Sequence, residues 1–258
     1  TAKRLLVPVA HVEAGLRSFD ETMPEEINRR VTDAISDLLF TPSPDGDENL
    51  LREGVPQEKI HRVGNIMIDS LVAILAKIDR DHQSRIVRLF GVETGRYVLV
   101  TLHRPSNVDE RSGLEQILRF LRQLSTQTPV IFPIHPRTRK NIETLGLDAS
   151  SDDKLRIVDP VRYREFITLE RNARFILTDS GGIQEETTYL GLPCLTLRLN
   201  TERPITITEG TNELVDMSNI EEHTTKILAD RWKQGKVPAL WDGRTAERIA
   251  KIVVEYMA

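Results

Sequence analysis

An α/β fold with parallel sheet covered on both faces is predicted by three features of the sequence. From Tyr97 onward, short apolar runs alternate with amphipathic stretches of helical length, the pattern left by right-handed crossovers between parallel strands. One junction, Thr178 to Gly191 (TDSGGIQEETTYLG), takes a strand directly into adjacent glycines and then a helix. A strongly apolar helix at Ile66 to Ile78 is placed to carry the chain from one lobe to another. The 258 residues are enough for one large domain or two ordinary ones.

Taken in order, Leu5 to Val12 reads as a strand, and Pro8 favours an edge position or the strand start. After the loop GLRSFDETM, Pro24 opens a helix whose Ile27, Val31, Ile35 and Leu38 keep helical spacing. Leu38 to Thr41 is the next strand. A second helix follows, with Ser43 as cap, acidic residues in its first turn and Gly54 just past its end. Lys59 to Val63 is strand-like. Further strands are expected at Tyr97 to Leu102, Val130 to Ile134, Leu155 to Val158, Phe175 to Thr178 and Cys194 to Leu197, with helices near 110–125, 136–145, 162–171 and 182–190 between them. Gly146 to Lys154 reads as an exposed loop. A last helix, Arg244 to Met257, is expected to return to the first lobe. The chain thus divides at 1–65, 66–240 and 241–258.

Composition excludes several classes of partner. A net charge of −4 and a pI near 5.9 give no electrostatic reason to expect nucleic acid or an anionic membrane. No apolar stretch approaches the length of a membrane span, and the N-terminus has no signal-peptide pattern. The single cysteine, Cys194 in LPCLTL, cannot form an internal disulfide and reads as a buried small hydrophobe, in keeping with a reducing cytoplasm. No histidine or cysteine cluster has zinc spacing, so no metal is expected. Asp45-Gly46-Asp47 is like the metal-binding Asp-x-Asp of some sugar transferases, but its place at a helix start favours a turn and cap. The chain begins at Thr1 and enters its first strand within a few residues, the start expected of a fragment whose upstream part is missing.

In a parallel sheet the chemistry lies beyond the carboxyl ends of the strands. Four such ends carry polar groups: His103-Arg104, His135 with Arg137, Asp179-Ser180-Gly181-Gly182, and Arg198 to Pro204. Imidazoles, guanidiniums and a helix N-terminus on one rim suit a diphosphate. At Ser180, Gly181 and Gly182 the backbone can approach a phosphate closely, with the first helical N–H groups directed at it. Glu185 and Glu186 lie within two turns, where a carboxylate can accept hydrogen bonds from a ribose diol. The structural alternative is that Ser180 caps the helix and both glutamates complement its dipole. From the first lobe, Glu13 follows a strand, and Glu25, Glu26 and Arg29 occupy the first turns of a helix. Two carboxylates on separate elements facing a phosphate rim can act as general acid and base, although acidic residues after Pro24 also suit the helix dipole.

These residues carry a resemblance. HVEAGLRS, MPEEINR, FTPS, VGNIMID, HR after a strand, PIHPR, TDSGGIQEE, GLPCLTLR, TERPIT and EGTN occur in the order found in the non-hydrolysing UDP-N-acetylglucosamine 2-epimerases, and the resemblance covers nearly the whole chain. It implies an α/β protein of two Rossmann-like lobes with parallel sheets, glycosyltransferase-B-like, whose first lobe is here truncated at the N-terminus. A GTRPE-like loop and a strand ending in HGD would lie upstream, in roughly 90 residues at about 30 per βα unit. The implied reaction interconverts UDP-N-acetylglucosamine and UDP-N-acetylmannosamine by elimination and re-addition of UDP through 2-acetamidoglucal, with no cofactor. Neighbouring possibilities are a glycosyltransferase and a hydrolysing epimerase.

Position by position, the resemblance implies Glu13 and Glu25 as carboxylates at the sugar with Arg29 near them, and His135 at the phosphates or assisting departure. Ser180, Gly181 and Gly182 would hold the diphosphate and Arg203 would help with charge, beside the strand-end candidates His103, Arg104 and Arg137. Glu186 would bind the ribose, and Tyr163 and Phe166 would lie by the uracil. Pro105 and Ser106 stand where many bacterial members have Arg and Glu, in a segment associated with a second, regulatory substrate site. The chain is expected to be a cytoplasmic homodimer, and the fragment alone to bind UDP weakly with little turnover.

Overall fold

The computed structural model describes residues 2–258. Its first lobe holds a three-stranded parallel sheet, β1 (Ala10–Val12), β2 (Leu38–Thr41) and β3 (Ile60–Arg62), in that spatial order. Helices α1 (Pro24–Ile35) and α2 (Pro44–Arg52) make the crossovers. The strand expected from Leu5 is cut back to Ala10, and Ala2–Leu5 forms a 3-10 turn instead. Pro8 has no N–H to give to a ladder; pairing starts at Val9, whose carbonyl accepts from the Asp37 and Leu38 amides.

The apolar spacing in α1 is real but faces outward. Ile27, Val31 and Ile35 are 52%, 56% and 45% exposed, while Glu26 and Asp33 are the buried side chains of this helix. Asp33 accepts from the Gly15 amide at 3.1 Å and pairs with Arg17 at 2.7 Å. The polar face of α1 therefore holds the segment after β1, and its apolar face, with Leu5, Leu6 and Val7, stays open among the described residues.

The second lobe is a six-stranded parallel sheet: β4 (Val98–Thr101), β5 (Val130–Pro133), β6 (Leu155–Val158), β7 (Phe175–Thr178), β8 (Cys194–Leu197) and β9 (Asn212–Val215). Its spatial order is β6-β5-β4-β7-β8-β9, a doubly wound arrangement whose order reverses between β4 and β7. Helix α6 (Arg111–Ser125) covers one face through Leu114, Ile117, Leu121 and Leu124. Helices α4 (Arg80–Leu89), α8 (Tyr163–Asn172) and α9 (Gly181–Leu190) cover the other, over Leu99, Ile131 and Ile176. Short α5 (Pro105–Val108) and α7 (Pro136–Leu145) follow β4 and β5, and α10 (Ile205–Thr208) and α11 (Ile220–Leu228) flank β9. Cys194 is buried in β8, as expected.

The connection between lobes is α3 (Ile66–Leu75), one turn shorter than its apolar run. Asn65 caps it through the Met67 amide. The last helix, α12 (Thr245–Met257), starts on α3, where Asp69 accepts from the Thr245 and Ala246 amides at 3.0 and 2.7 Å. It then packs Ile249, Ile252 and Val253 against Leu38, Phe40 and Val63 of the first lobe. The buried Trp241 indole donates to the Pro42 carbonyl at 3.0 Å. Both contacts tie the end of the chain across the two sheets. No helix among the described residues is long and apolar enough to cross a membrane.

Candidate active site

The reversal between β4 and β7 brings two of the polar strand ends together. Asp179, fully buried after β7, accepts from the His103 amide at 3.0 Å, the Arg104 amide at 2.9 Å and the Asn107 side chain at 3.0 Å. His103 Nδ1 lies 3.0 Å from the same carboxyl. Burial raises the Asp179 pKa, but the bonds from His103, Arg104 and Asn107 outweigh it and hold the group below its ordinary value. The Arg104 Nε also donates to the Asp179 carbonyl, at 2.9 Å. One aspartate thus fixes the whole His103–Asn107 segment on the rim.

His135 begins α7 as its N-cap, with Nδ1 accepting from the Arg137 amide at 3.2 Å. In the neutral ring that places the proton on Nε2. The His135 and His103 rings lie 5.3 Å apart, tilted by 38°. Arg137 is engaged by Asp109, its Nε donating at 3.0 Å. His103, Arg104, His135 and Arg137 line an open cleft of about 660 Å³ to which the first lobe contributes Asp20, Thr22, Met23, Pro24 and Glu25. Asn200 reaches Asp20 across it at 3.2 Å.

A second, smaller cavity of about 270 Å³ adjoins Glu25. It is lined by Glu13, Glu25 and Arg29 from the first lobe and by Glu202 and Arg203 from the second. Glu13 follows β1 with φ +67°, a left-handed conformation that costs a non-glycine residue roughly 1–2 kcal/mol. Its Oε1 is buried with no hydrogen-bond partner. The Arg29 Nε is likewise buried and unpartnered. The adjacent glutamates of α1 separate by direction: Glu26 turns inward to accept from the Ser18 and Phe19 amides at 2.9 and 3.2 Å, and Glu25 remains open to both cavities.

At the start of α9, Ser180 occupies the N-cap position but its hydroxyl makes no capping bond. The dipole alternative for Glu185 and Glu186 also fails, because both are buried, at 1% and 3% exposure. Glu185 lies 2.8 Å from Arg203 Nε, and Arg203 also pairs with Glu202. Burial and the nearby Glu13 raise Glu185 to about 7 against the pull of Arg203. Burial lowers Arg203, but Glu185, Glu202 and Glu13 together lift it above its ordinary value. Glu202 is held down to about 2: Arg203 and Arg198 overcome its burial. Glu186 accepts from the Tyr163 hydroxyl at 2.7 Å. Phe166 is half-buried, packing into the clusters that join α8 to α3 and α4.

The two glycines of α9 have different neighbours. A Cβ on Gly181 would lie 2.6 Å from Arg203 and 2.8 Å from Glu202, whereas one on Gly182 would meet nothing within 4 Å. Gly181→Ala is therefore expected to disturb the Arg203 ion pairs and lower thermal stability. Gly182→Ala should fold as the parent does and keep its melting temperature, as read by thermal unfolding.

The sequence marked Asp179 only as part of a polar strand end and Glu185 only with Glu186 as a possible ribose carboxylate, and it left Glu202 and Asn107 with no role of their own. Asp179 carried a usable signal, an acidic residue closing an apolar strand at a topological reversal. The Glu185–Arg203–Glu202 cluster carried none, since its members meet only when the segment after β8 folds over α9.

Fold and site together define a two-lobed α/β protein in which a doubly wound lobe presents a glycine-led helix N-terminus beside a polar cleft shared with a second parallel sheet. The chain belongs to the UDP-N-acetylglucosamine 2-epimerase family, whose family model matches residues 1–254. The UDP-N-acetylglucosamine 2-epimerase of Methanocaldococcus jannaschii is 43% identical over 258 residues, 98% of this chain and 70% of the relative. A crystal structure of the M. jannaschii enzyme in complex with UDP-GlcNAc and UDP matches with a TM-score of 0.84 at 41% identity, covering 98% of this chain and 71% of that one. The UDP-2,3-diacetamido-2,3-dideoxy-D-glucuronate 2-epimerase of Pseudomonas aeruginosa is 41% identical over 264 residues, 100% of this chain and 70% of the relative.

Proposed function

We propose that the protein is a non-hydrolysing epimerase interconverting UDP-N-acetylglucosamine and UDP-N-acetylmannosamine. The observation that carries this reading is the unpartnered, strained Glu13 carboxylate beside Arg29, facing Arg203 across a cavity at the lobe junction.

The sugar C2 proton is not adjacent to a carbonyl, so direct removal is very unfavourable. Breaking the C1–O bond first, with its electron pair leaving on UDP, gives C1 oxocarbenium character and makes that proton removable. One carboxylate takes it, forming 2-acetamidoglucal; the second delivers a proton to the opposite face of C2 as UDP adds back to C1. Glu13 and Glu25 are the acid–base pair. The His135 Nε2–H assists UDP departure, and His103, Arg104, Arg137, Ser180, Gly181 and Gly182 hold the diphosphate. Arg29 and Arg203 balance charge at the sugar. Glu186 takes the ribose diol, with Tyr163 and Phe166 on the uracil side. In this reading residues 1–65 are the acid–base lobe, 66–240 the UDP lobe, and 241–258 the helix that ties them. The identity with the P. aeruginosa relative favours one second reading, a UDP-2,3-diacetamido uronate as substrate with the same chemistry.

Incubation of the encoded protein with each UDP-sugar in deuterated water tests these readings. The expected result is deuterium at C2 and a mannosamine epimer still joined to UDP. Exchange with the diacetamido uronate alone selects the second reading. Free N-acetylmannosamine with UDP would mean a hydrolysing enzyme, and no C2 exchange with either substrate overturns the epimerase.

A further inference from the structure

Glu170, on α8, is fully buried, and neither of its carboxyl oxygens has a hydrogen-bond partner. No donor among the described residues reaches it. Its polar neighbour is the Glu186 carboxyl on α9, within hydrogen-bonding reach, and Glu186 in turn accepts from Tyr163 at 2.7 Å. A buried carboxylate without a donor is too costly to keep ionised, and two carboxyls this close cannot both be charged. A single proton between them removes both penalties. Glu170, the more enclosed, is the group that keeps it.

We infer that Glu170 is a positioning residue: as a neutral acid it donates a hydrogen bond to Glu186 and so holds the Glu186 carboxylate towards the ribose diol of the bound nucleotide. This rests on the ribose role given to Glu186 above. With Tyr163 and Glu170 both donating, the orientation of Glu186 is fixed and its remaining lone pairs are left for the two ribose hydroxyls.

The surroundings supply no competing cation. Burial pushes both carboxyls up, each further affected by the other, and the Tyr163 phenol is raised beside them. From β8 the Cys194 thiol faces Glu170 and is pushed up to about 12, chiefly by burial; Lys233 acts on that thiol. On α4, His82 is flanked by Arg85 of its own helix, 3.2 Å from its Nδ1, and is acted on by Arg164 and Glu165 of α8. On α3, Asp69 is taken up by the α12 amides, and on α9 Glu185 is taken up by Arg203. No Lys, Arg or His forms an ion pair with Glu170 or Glu186 among the described residues.

The test is calorimetric binding of UDP and of 2′,3′-dideoxy-UDP to wild type, Glu170→Gln, Glu170→Met and Glu186→Gln above about pH 7, where the terminal phosphate is already ionised, with thermal unfolding alongside. Both carboxyls titrate above their ordinary value in the fold, so the stability they hold at low pH is lost as pH rises through the raised value. Wild type should therefore lose UDP affinity and melting temperature together as pH rises. Glu170→Gln, whose amide donates at every pH, should flatten both profiles. Glu170→Met, which cannot donate, should bind UDP about tenfold more weakly, while its loss of affinity for dideoxy-UDP should be small. A Glu170→Gln profile with the wild-type slope, or a Glu170→Met affinity equal to wild type, overturns the inference. If dideoxy-UDP binds wild type as tightly as UDP, and Glu186→Gln binds normally, the ribose role of Glu186 falls and the purpose assigned to Glu170 falls with it.

Discussion

Glu13→Gln should lower turnover roughly 10²- to 10⁴-fold while leaving UDP affinity and folding close to wild type. The Glu13 Oε1 is buried and bonds to nothing in the protein, so the amide replacement breaks no hydrogen bond; it removes the ability to move a proton, together with the charge that acts on Glu185 and Arg203. The backbone points the same way. At φ +67° a non-glycine residue is strained, and strain of this kind persists where a side chain must be aimed at a site. Glu13→Gly, which accepts that conformation freely, should keep or slightly raise stability, by up to about 1 kcal/mol, and remove turnover. Steady-state kinetics with calorimetric UDP binding checks the pair of variants. A proportional loss of affinity and turnover in Glu13→Gln would assign the residue a structural role. Glu26→Gln is the useful contrast: Glu26 accepts from Ser18 and Phe19, so its loss should loosen the segment before α1 and act through stability.

How much of this was legible in the sequence depended on whether a feature is local. Strands β4, β5, β7 and β8 could be read because a parallel strand covered on both faces is a largely apolar run, and β6, at the sheet edge with Arg156 inside it, because Leu155, Ile157 and Val158 still mark a short strand. Strand β9 could not: it begins with Asn212, which is fully buried yet bonded to Thr196, Gln184 and Thr206, so its burial is bought with polar contacts that leave no apolar signal. Helix α1 shows the limit of periodicity, which reports that Ile27, Val31 and Ile35 share a face but not which way the face points. The glycine-led start of α9 was local and was read. The inward turn of Glu26 beside the open Glu25, the locking of Arg203 by Glu185 and Glu202, and the buried meeting of Glu170 with Glu186 all depend on contacts between elements distant in sequence.

Asp179→Ala should cost about 3–5 kcal/mol of stability and weaken UDP binding with it. The carboxyl is fully buried and gathers the His103 and Arg104 amides, the Asn107 side chain and His103 Nδ1. Truncation strands those donors away from water, where each unpaired group carries its full desolvation cost. Acid titration supplies an independent reading. The Asp179 pKa is depressed in the fold from an ordinary value of 3.8, so its stabilisation is complete above that value and is lost as pH falls through it into the depressed range. Urea unfolding across the acid range should show wild type losing stability more steeply than Asp179→Asn, which has no carboxyl to protonate; equal slopes would remove Asp179 as the fixing group. The effect on binding follows from position. Asp179 bridges the reversal between β4 and β7 through the His103, Arg104 and Asn107 bonds, so in the proposed reading a diphosphate would meet His103, Arg104 and the first turn of α9 only while Asp179 holds the segment that carries them.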